Sequence, residues 1–231
     1  MGNTLPQRRA IHDEQKQERR QAILDTAWQL FQTTTYETLT MVDIAHALGL
    51  AKGTVFLYFK TKESLFLTLI EQQLTIWFAE VNTSLEALSH PCTIPEVAGV
   101  LCQSLETRPG LTRLLAILHT ILEQNIDLDS AIHFKFFLLE HFERTGALLE
   151  RCLPFLTPGK GASLLLQSHA LVIGLWHLSD PAPIIRQALQ HPELRLFEVH
   201  FAPEFSTALQ ALLYGLERTA HTNIQEEEQL S

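Results

Sequence analysis

Apolar residues recur along this chain at helical spacing and almost never alternate, which predicts an all-α protein. The first helix is predicted over 18–34, with Ile23, Ala27, Leu30 and Phe31 on one buried face. Thr33, Thr34 and Thr35 end it, because consecutive β-branched residues disfavour continuation. A second, short helix opens at Thr40, whose hydroxyl and Asp43 form a capping-box pattern. It carries Val42, Ile44, Ala45 and Leu48 and stops at Gly49. A third starts at Ala51 or Lys52 and runs through Phe59. The connection between the second and third has the length expected of a helix-turn-helix. Thr61 then caps a long helix reaching about Leu88.

Beyond that point prolines and caps punctuate the pattern. His90-Pro91-Cys92-Thr93 is a break, with Thr93 and Pro95 opening the next helix. Arg108-Pro109-Gly110 separates it from a helix over 110–124, and Asp127 opens a long one ending near Cys152. A very apolar helix spans 160–178, short turns fill 183–200, and a last helix starting at Pro203 carries Phe205, Leu209, Leu212, Leu213 and Leu216 on one face. The expected organisation is a flexible arm over 1–17, a three-helix helix-turn-helix domain over 18–66, a larger helical domain over 67–221, and a disordered acidic tail over 222–231 containing Glu226, Glu227 and Glu228.

Composition changes this picture in two places. The net charge of −9 argues against a phosphate-rich partner, since cations that release counterions dominate such binding. The distribution reverses the inference: residues 1–66 carry eight Lys/Arg against seven Asp/Glu, and residues 67–231 carry nine against nineteen. An acidic body repelled by phosphate helps orient a neutral-to-basic head toward a duplex. The three cysteines, Cys92, Cys102 and Cys152, lack C-x-x-C spacing, so neither a disulfide framework nor a zinc knuckle is predicted. His133 and His141, like His169 and His177, are eight residues apart, about 12 Å along a helix and too far for one metal ion. With no apolar leader and no run of ~20 apolar residues, a cytoplasmic protein is expected. No cofactor and no catalytic residue are predicted: G-x-S-x-G and H-E-x-x-H are missing, and Gly159-Lys160-Gly161 lacks the spacing of a phosphate loop.

The segment Arg20–Glu71 resembles the DNA-binding domain of the tetracycline-repressor (TetR) family. The resemblance rests on Ile23, Ala27, Leu30 and Phe31, on Tyr36, Thr40, Asp43, Ile44, Ala45 and Leu48, on Gly49, Lys52, Gly53, Thr54, Val55, Tyr58 and Phe59, and on Lys62, Glu63 and Leu65. Thr35, Ala51 and Phe56 stand where the family usually has glycine, serine or threonine, and tyrosine. Lys52, Thr54 and Phe56 are predicted to face base edges in a major groove, with Gly53 letting the backbone approach closely. Thr40, Tyr58 and Lys62 are predicted as positioning contacts to the sugar-phosphate backbone; Lys62 as a solvated charge and Tyr58 as core are the competing readings. Arg8, Arg9, Arg19 and Arg20 belong either to an arm entering a minor groove or to a solubilising tail.

The resemblance implies a homodimer on pseudo-palindromic operator DNA, and a repressor released by a small, mostly apolar effector. One reader contacts too few base pairs to find one operator, so two-fold pairing is also the physical expectation. Leu165, Val172, Leu209, Leu213 and Leu216 are candidates for the dimer seam, or else protomer core. Trp77, His119, Phe137, His141 and Trp176 are candidates for an effector pocket, or else plain packing. The rival reading is a protein-interaction module whose acidic helical body binds a partner and whose DNA reader is weak or vestigial.

Overall fold

The computed structural model describes residues 5–229 and the side chains of 13–118 and 121–222. Within these residues every regular element is helical. The chain forms two compact units, the first ending at Ile70 and the second beginning at Glu71.

The first unit contains α1 (Leu5–Thr33), α2 (Met41–Ala47), α3 (Lys52–Tyr58) and the opening turns of α4 (Lys62–Glu86). The arm expected over 1–17 is helical from Leu5 instead. Pro6 sits in the first turn, where its missing N–H costs nothing, and the Gln, Arg, Lys and Glu residues that follow are strong helix formers. Ile23, Leu24, Ala27 and Phe31 of α1 are buried with Ile44, Val55, Phe59, Leu65 and Phe66. Phe66 anchors this core: the Phe31 ring meets it edge-on at 5.4 Å and the Tyr36 ring at 4.9 Å. At the tight corner after α2, Gly49 adopts φ +64°, and the Leu50 amide donates to the Ala45 carbonyl at 2.8 Å, closing the helix end.

The second unit continues α4 and adds α5 (Ile94–Glu106), α6 (Pro109–Ile117), α7 (Leu128–Cys152), α8 (Lys160–Ser179), α9 (Pro183–Ala188) and α10 (Phe201–Gln229). A π-helical turn, Leu118–Leu122, and a short 3-10 turn, Glu123–Asn125, join α6 to α7. The Thr93–Glu96 capping box starts α5, and Asp127 accepts from the Ser130 amide to start α7. The acidic stretch expected to be a disordered tail is carried as the end of α10 through Gln229, Glu and Gln being good helix formers.

α8 packs on α6, α7 and α10, and α10 also packs on α5. Where α7 crosses α8 their backbones touch, because a Cβ on Gly146 would lie 2.5 Å from the Ala162 nitrogen and one on Gly161 would lie 2.1 Å from the Gly146 carbonyl oxygen. Any side chain there would wedge the helices apart. α8 is long and apolar enough to cross a membrane by length and composition alone. Three helices cover one of its sides, yet Leu166, Ala170 and Leu178 stay exposed, so an apolar ridge is left uncovered.

Candidate functional site

α3 is short and held from below. Val55 and Phe59 are its buried anchors, and the opposite face, with Lys52, Gly53, Phe56 and Leu57, is exposed. Ala51 precedes α3 in extended conformation without a side-chain cap, so the first amides of the helix have no internal side-chain acceptor. Gly53 has no heavy atom within 4 Å of where a Cβ would lie. Internal packing therefore gives no reason for glycine here, whereas close approach by something outside does. The Lys52 ammonium lies 5.6 Å from the centre of the Phe56 ring, which keeps both groups on the open face.

Thr40 and Lys62 are already engaged. The Thr40 amide and hydroxyl both donate to Asp43 Oδ2, at 2.8 and 2.7 Å, while the Asp43 amide donates back to the Thr40 hydroxyl at 3.2 Å. These hydrogen bonds, side chain first, hold the Asp43 carboxyl below its ordinary value. The N-terminus of α2 is thus capped by an internal anion, with which a phosphate must compete. The Lys62 ammonium donates to the Tyr36 carbonyl and sits 3.9 Å from the centre of the Tyr36 ring. Burial lowers its pKa against the opposing pull of nearby Glu63 and Glu37. The Tyr36 hydroxyl in turn donates to Glu63 at 2.8 Å. Burial, with Glu63, pushes that phenol far up. Lys62 is thereby a clasp between α4 and the loop before α2.

Thr54 and Tyr58 are half-buried and line an open groove of about 490 Å³ with Gln15, Lys16, Arg19 and Leu57. Lys16 and Leu57 were not singled out by sequence. The one available signal was Leu57 itself, a large apolar residue that falls opposite the buried Val55 and Phe59 stripe and is 82% exposed. Of the paired arginines, Arg19 faces the groove. Arg20 turns inward, donating to Thr68 Oγ1 at 3.3 Å with its guanidinium 4.9 Å from the centre of the Phe59 ring. Arg8 and Arg9 lie outside the described side chains.

The second unit holds an apolar cavity of about 50 Å³ between α4, α5, α6, α7, α8 and α10. Trp77 lines it, as expected, beside Phe78, Phe142 and His169. The Trp77 indole N–H donates to Ser104 at 2.9 Å, which fixes the ring. Phe137 and His141 stand next to the cavity rather than on its wall: the His141 ring stacks on Phe78 at 4.8 Å and meets Phe137 at 4.6 Å. Burial lowers the His141 pKa, so the ring is neutral near pH 7. Trp176 is away from it, packed edge-on against Phe201 at 5.8 Å. The His119 side chain lies outside the described residues.

The seam assignments need correction. Leu165, Val172, Leu209 and Leu213 are at most 4% exposed within a single chain, so they are protomer core, and Leu165 and Val172 wall the cavity. Leu216 is half-buried. The stripe they form is real; it points inward, because α8 presents that side to α7 and α10 presents its own to α5 and α8.

Residues 23–69 match the family model of bacterial regulatory proteins of the tetR family, and residues 71–220 match that of the tetracycline-repressor-like C-terminal domain. The chain belongs to the TetR family. As a TetR protein it is a DNA-binding transcriptional regulator with an N-terminal helix-turn-helix and a helical C-terminal domain. Solved TetR structures share the fold. A TetR-family transcriptional regulator from Mesorhizobium loti superposes with a TM-score of 0.53 at 16% identity, over 87% of this chain and 96% of its own. The FadR regulator from Bacillus subtilis, solved with stearoyl-CoA, gives 0.51 at 16% identity over 84% and 96%. The fatty acid degradation regulator FadR from Bacillus halodurans gives 0.50 at 14% over 87% and 93%. A search of curated proteins returns no match.

Proposed function

We propose that this TetR protein is a cytoplasmic homodimeric repressor that reads a pseudo-palindromic operator through α3 and leaves it when a small apolar molecule enters the cavity of the second unit. The observation that carries the reading is the exposed face of α3: Lys52, Gly53 and Phe56 are open, with half-buried Thr54 at its edge, on a helix pinned by Val55 and Phe59. Lys52 supplies a bidentate-length donor, Gly53 close approach, and Phe56 an apolar surface for a thymine methyl. Tyr58, Lys16 and Arg19, around the adjoining groove, are the positioning contacts to phosphate.

Dimerisation is assigned to the uncovered side of the last two long helices. Leu166, Ala170, Gly174 and Leu178 form an exposed i, i+4 ridge on α8, and Ala211, Tyr214 and Gly215 are exposed on α10. Small residues between larger ones suit close helix packing across a two-fold axis. The effector is assigned to the apolar cavity. At about 50 Å³ it is far below the roughly 300 Å³ at which ligand sites begin, so the effector must open it, and that opening is the switch. The stearoyl-CoA found in Bacillus subtilis FadR illustrates the long apolar chain that such a wall would accept.

An electrophoretic shift with the protein's own promoter region, repeated at rising salt, tests this. A steep loss of affinity with salt supports the regulator. No shift at low salt overturns it in favour of the protein-interaction module. Light scattering is expected to give about twice the 26.2 kDa chain mass; a clean monomer overturns the two-fold reading.

A further inference from the structure

His90, Cys92 and Cys152 converge in the second unit, on the side of the α4–α5 loop that meets the end of α7. One ligand atom from each lies within 4.8 Å of the others. The main chain holds the two cysteines together, the Cys92 amide donating to the Cys152 carbonyl at 2.8 Å. Both cysteines are buried, while His90 is exposed. His90 Nδ1 lies 2.8 Å from the Leu88 carbonyl oxygen. A carbonyl can only accept, so Nδ1 carries the proton, and the lone pair is on Nε2, which is 3.9 Å from Cys152 Sγ. A histidine whose second nitrogen is fixed by a carbonyl is the usual arrangement behind a metal-ligating imidazole.

We propose that His90 Nε2, Cys92 Sγ and Cys152 Sγ form a binding site for a thiophilic d10 cation, Zn2+ or Cu+. Two soft sulfurs and an imidazole are the donor set such ions select. Bonds of about 2.3 Å to sulfur and 2.0 Å to nitrogen place ligand atoms roughly 3.5–3.8 Å apart, so donors within 4.8 Å of one another draw in by at most about 1.3 Å, within the reach of side-chain rotation. The fourth position of a tetrahedral ion falls on the exposed His90 side, where water completes it; Cu+ needs no fourth ligand. The cation binds the thiolate forms, so its uptake releases the thiol protons to solvent. The bound ion ties the loop before α5 to the last residue of α7. A disulfide between the same two cysteines leaves the preset imidazole without a role, and it is an outcome of the test.

The test uses the full chain, stripped with chelator and kept reduced and anaerobic. Zn2+ in competition with a chromogenic chelator and Cu+ in competition with a cuprous chelator form the two arms, with Co2+ reporting thiolate ligation by its charge-transfer absorption. One equivalent per chain is expected in at least one arm, with affinity lost in Cys92→Ser and Cys152→Ser and kept in Cys102→Ser, whose thiol lies near Ser206 on another face. Because Cys92→Ser and Cys152→Ser change buried positions and can unfold the domain, His90→Ala at an exposed position is the decisive variant: affinity falls by about 100-fold or more while the circular dichroism and melting of the apo protein stay unchanged. No uptake in either arm, uptake indifferent to His90→Ala, or a Cys92–Cys152 disulfide whose reduced form takes up no metal overturns the site.

Discussion

In the first unit two rings are clasped by charged partners: Tyr36 lies between Phe66, the Glu63 carboxylate and the Lys62 ammonium, and Arg20 lies over Phe59. In the second unit the rings Trp77, Phe78 and Phe142, though paired among themselves and with Ser104 and His141, also wall a cavity. The first arrangement fixes one geometry, which a helix that must enter a groove requires. The second leaves unfilled space among its packed side chains, where displacement sacrifices fewer contacts. Stiffness and slack are thus divided between the halves of one chain.

The division can be broken by substitution. Phe66→Ala removes the ring on which Phe31 and Tyr36 converge and is expected to cost about 3–5 kcal/mol, abolishing operator binding before the second unit melts; two resolved calorimetric transitions, with the first lost, check it. Val55→Ile and Val172→Ile add the same methylene to valines that are both fully or nearly buried. In the packed first unit the addition is expected to destabilise by about 1–3 kcal/mol. Beside the cavity it is expected to stabilise by about 0.8 kcal/mol while weakening effector response. Equal signs in thermal melts would show that the halves do not differ in packing.

Two lysines sharpen the contrast within the first unit. Lys52→Ala is expected to lower the salt slope of operator binding by about one and leave stability unchanged. Lys62→Ala is expected to cost about 1 kcal/mol of stability through its lost bond to the Tyr36 carbonyl and to change the slope by less. Salt titrations beside melts of the same variants separate the roles. The smallest effect concerns pH. Burial lowers the folded-state pKa of His141, so below the ordinary histidine value the unfolded chain binds the extra proton first. The second unit is therefore expected to lose stability as pH falls through that window, and His141→Phe, which keeps the stack on Phe78, is expected to flatten the dependence in melts between about pH 7 and pH 5.

What could be read from the residues follows from range. The Thr40–Asp43 cap, Gly49 and the Val55–Phe59 stripe are local signals, separated by a few positions, and each marks a feature the structure contains. The starts of α5 and α7 were equally readable, since Thr93 and Asp127 act on neighbouring backbone, whereas the π turn after Ile117 and the continuation of α10 to Gln229 were not. Which side of a helix meets which partner is a long-range matter. α8 is apolar nearly all round, so nothing local distinguishes Leu165, turned to the cavity, from Leu166, turned outward. The cluster of His90 and Cys92 with Cys152 was hidden for the same reason, sixty positions separating the two cysteines. Lys62 shows the opposite limit: its place in the family pattern was legible, but its bond to a main-chain carbonyl was not.

The glycine crossing of α7 and α8 turns two helices into a pair of shears. Gly146 and Gly161 are the rivet, since their backbones already touch. Phe142 and Leu138 on one blade, and Leu165, Ser168 and Val172 on the other, lie on the same side of it and wall the cavity. The distance from Gly161 to Val172 is a lever of about 16 Å. Because the helices already touch at the rivet, any separation of the cavity walls would have to grow with distance from it, from Leu165 outward to the far tips.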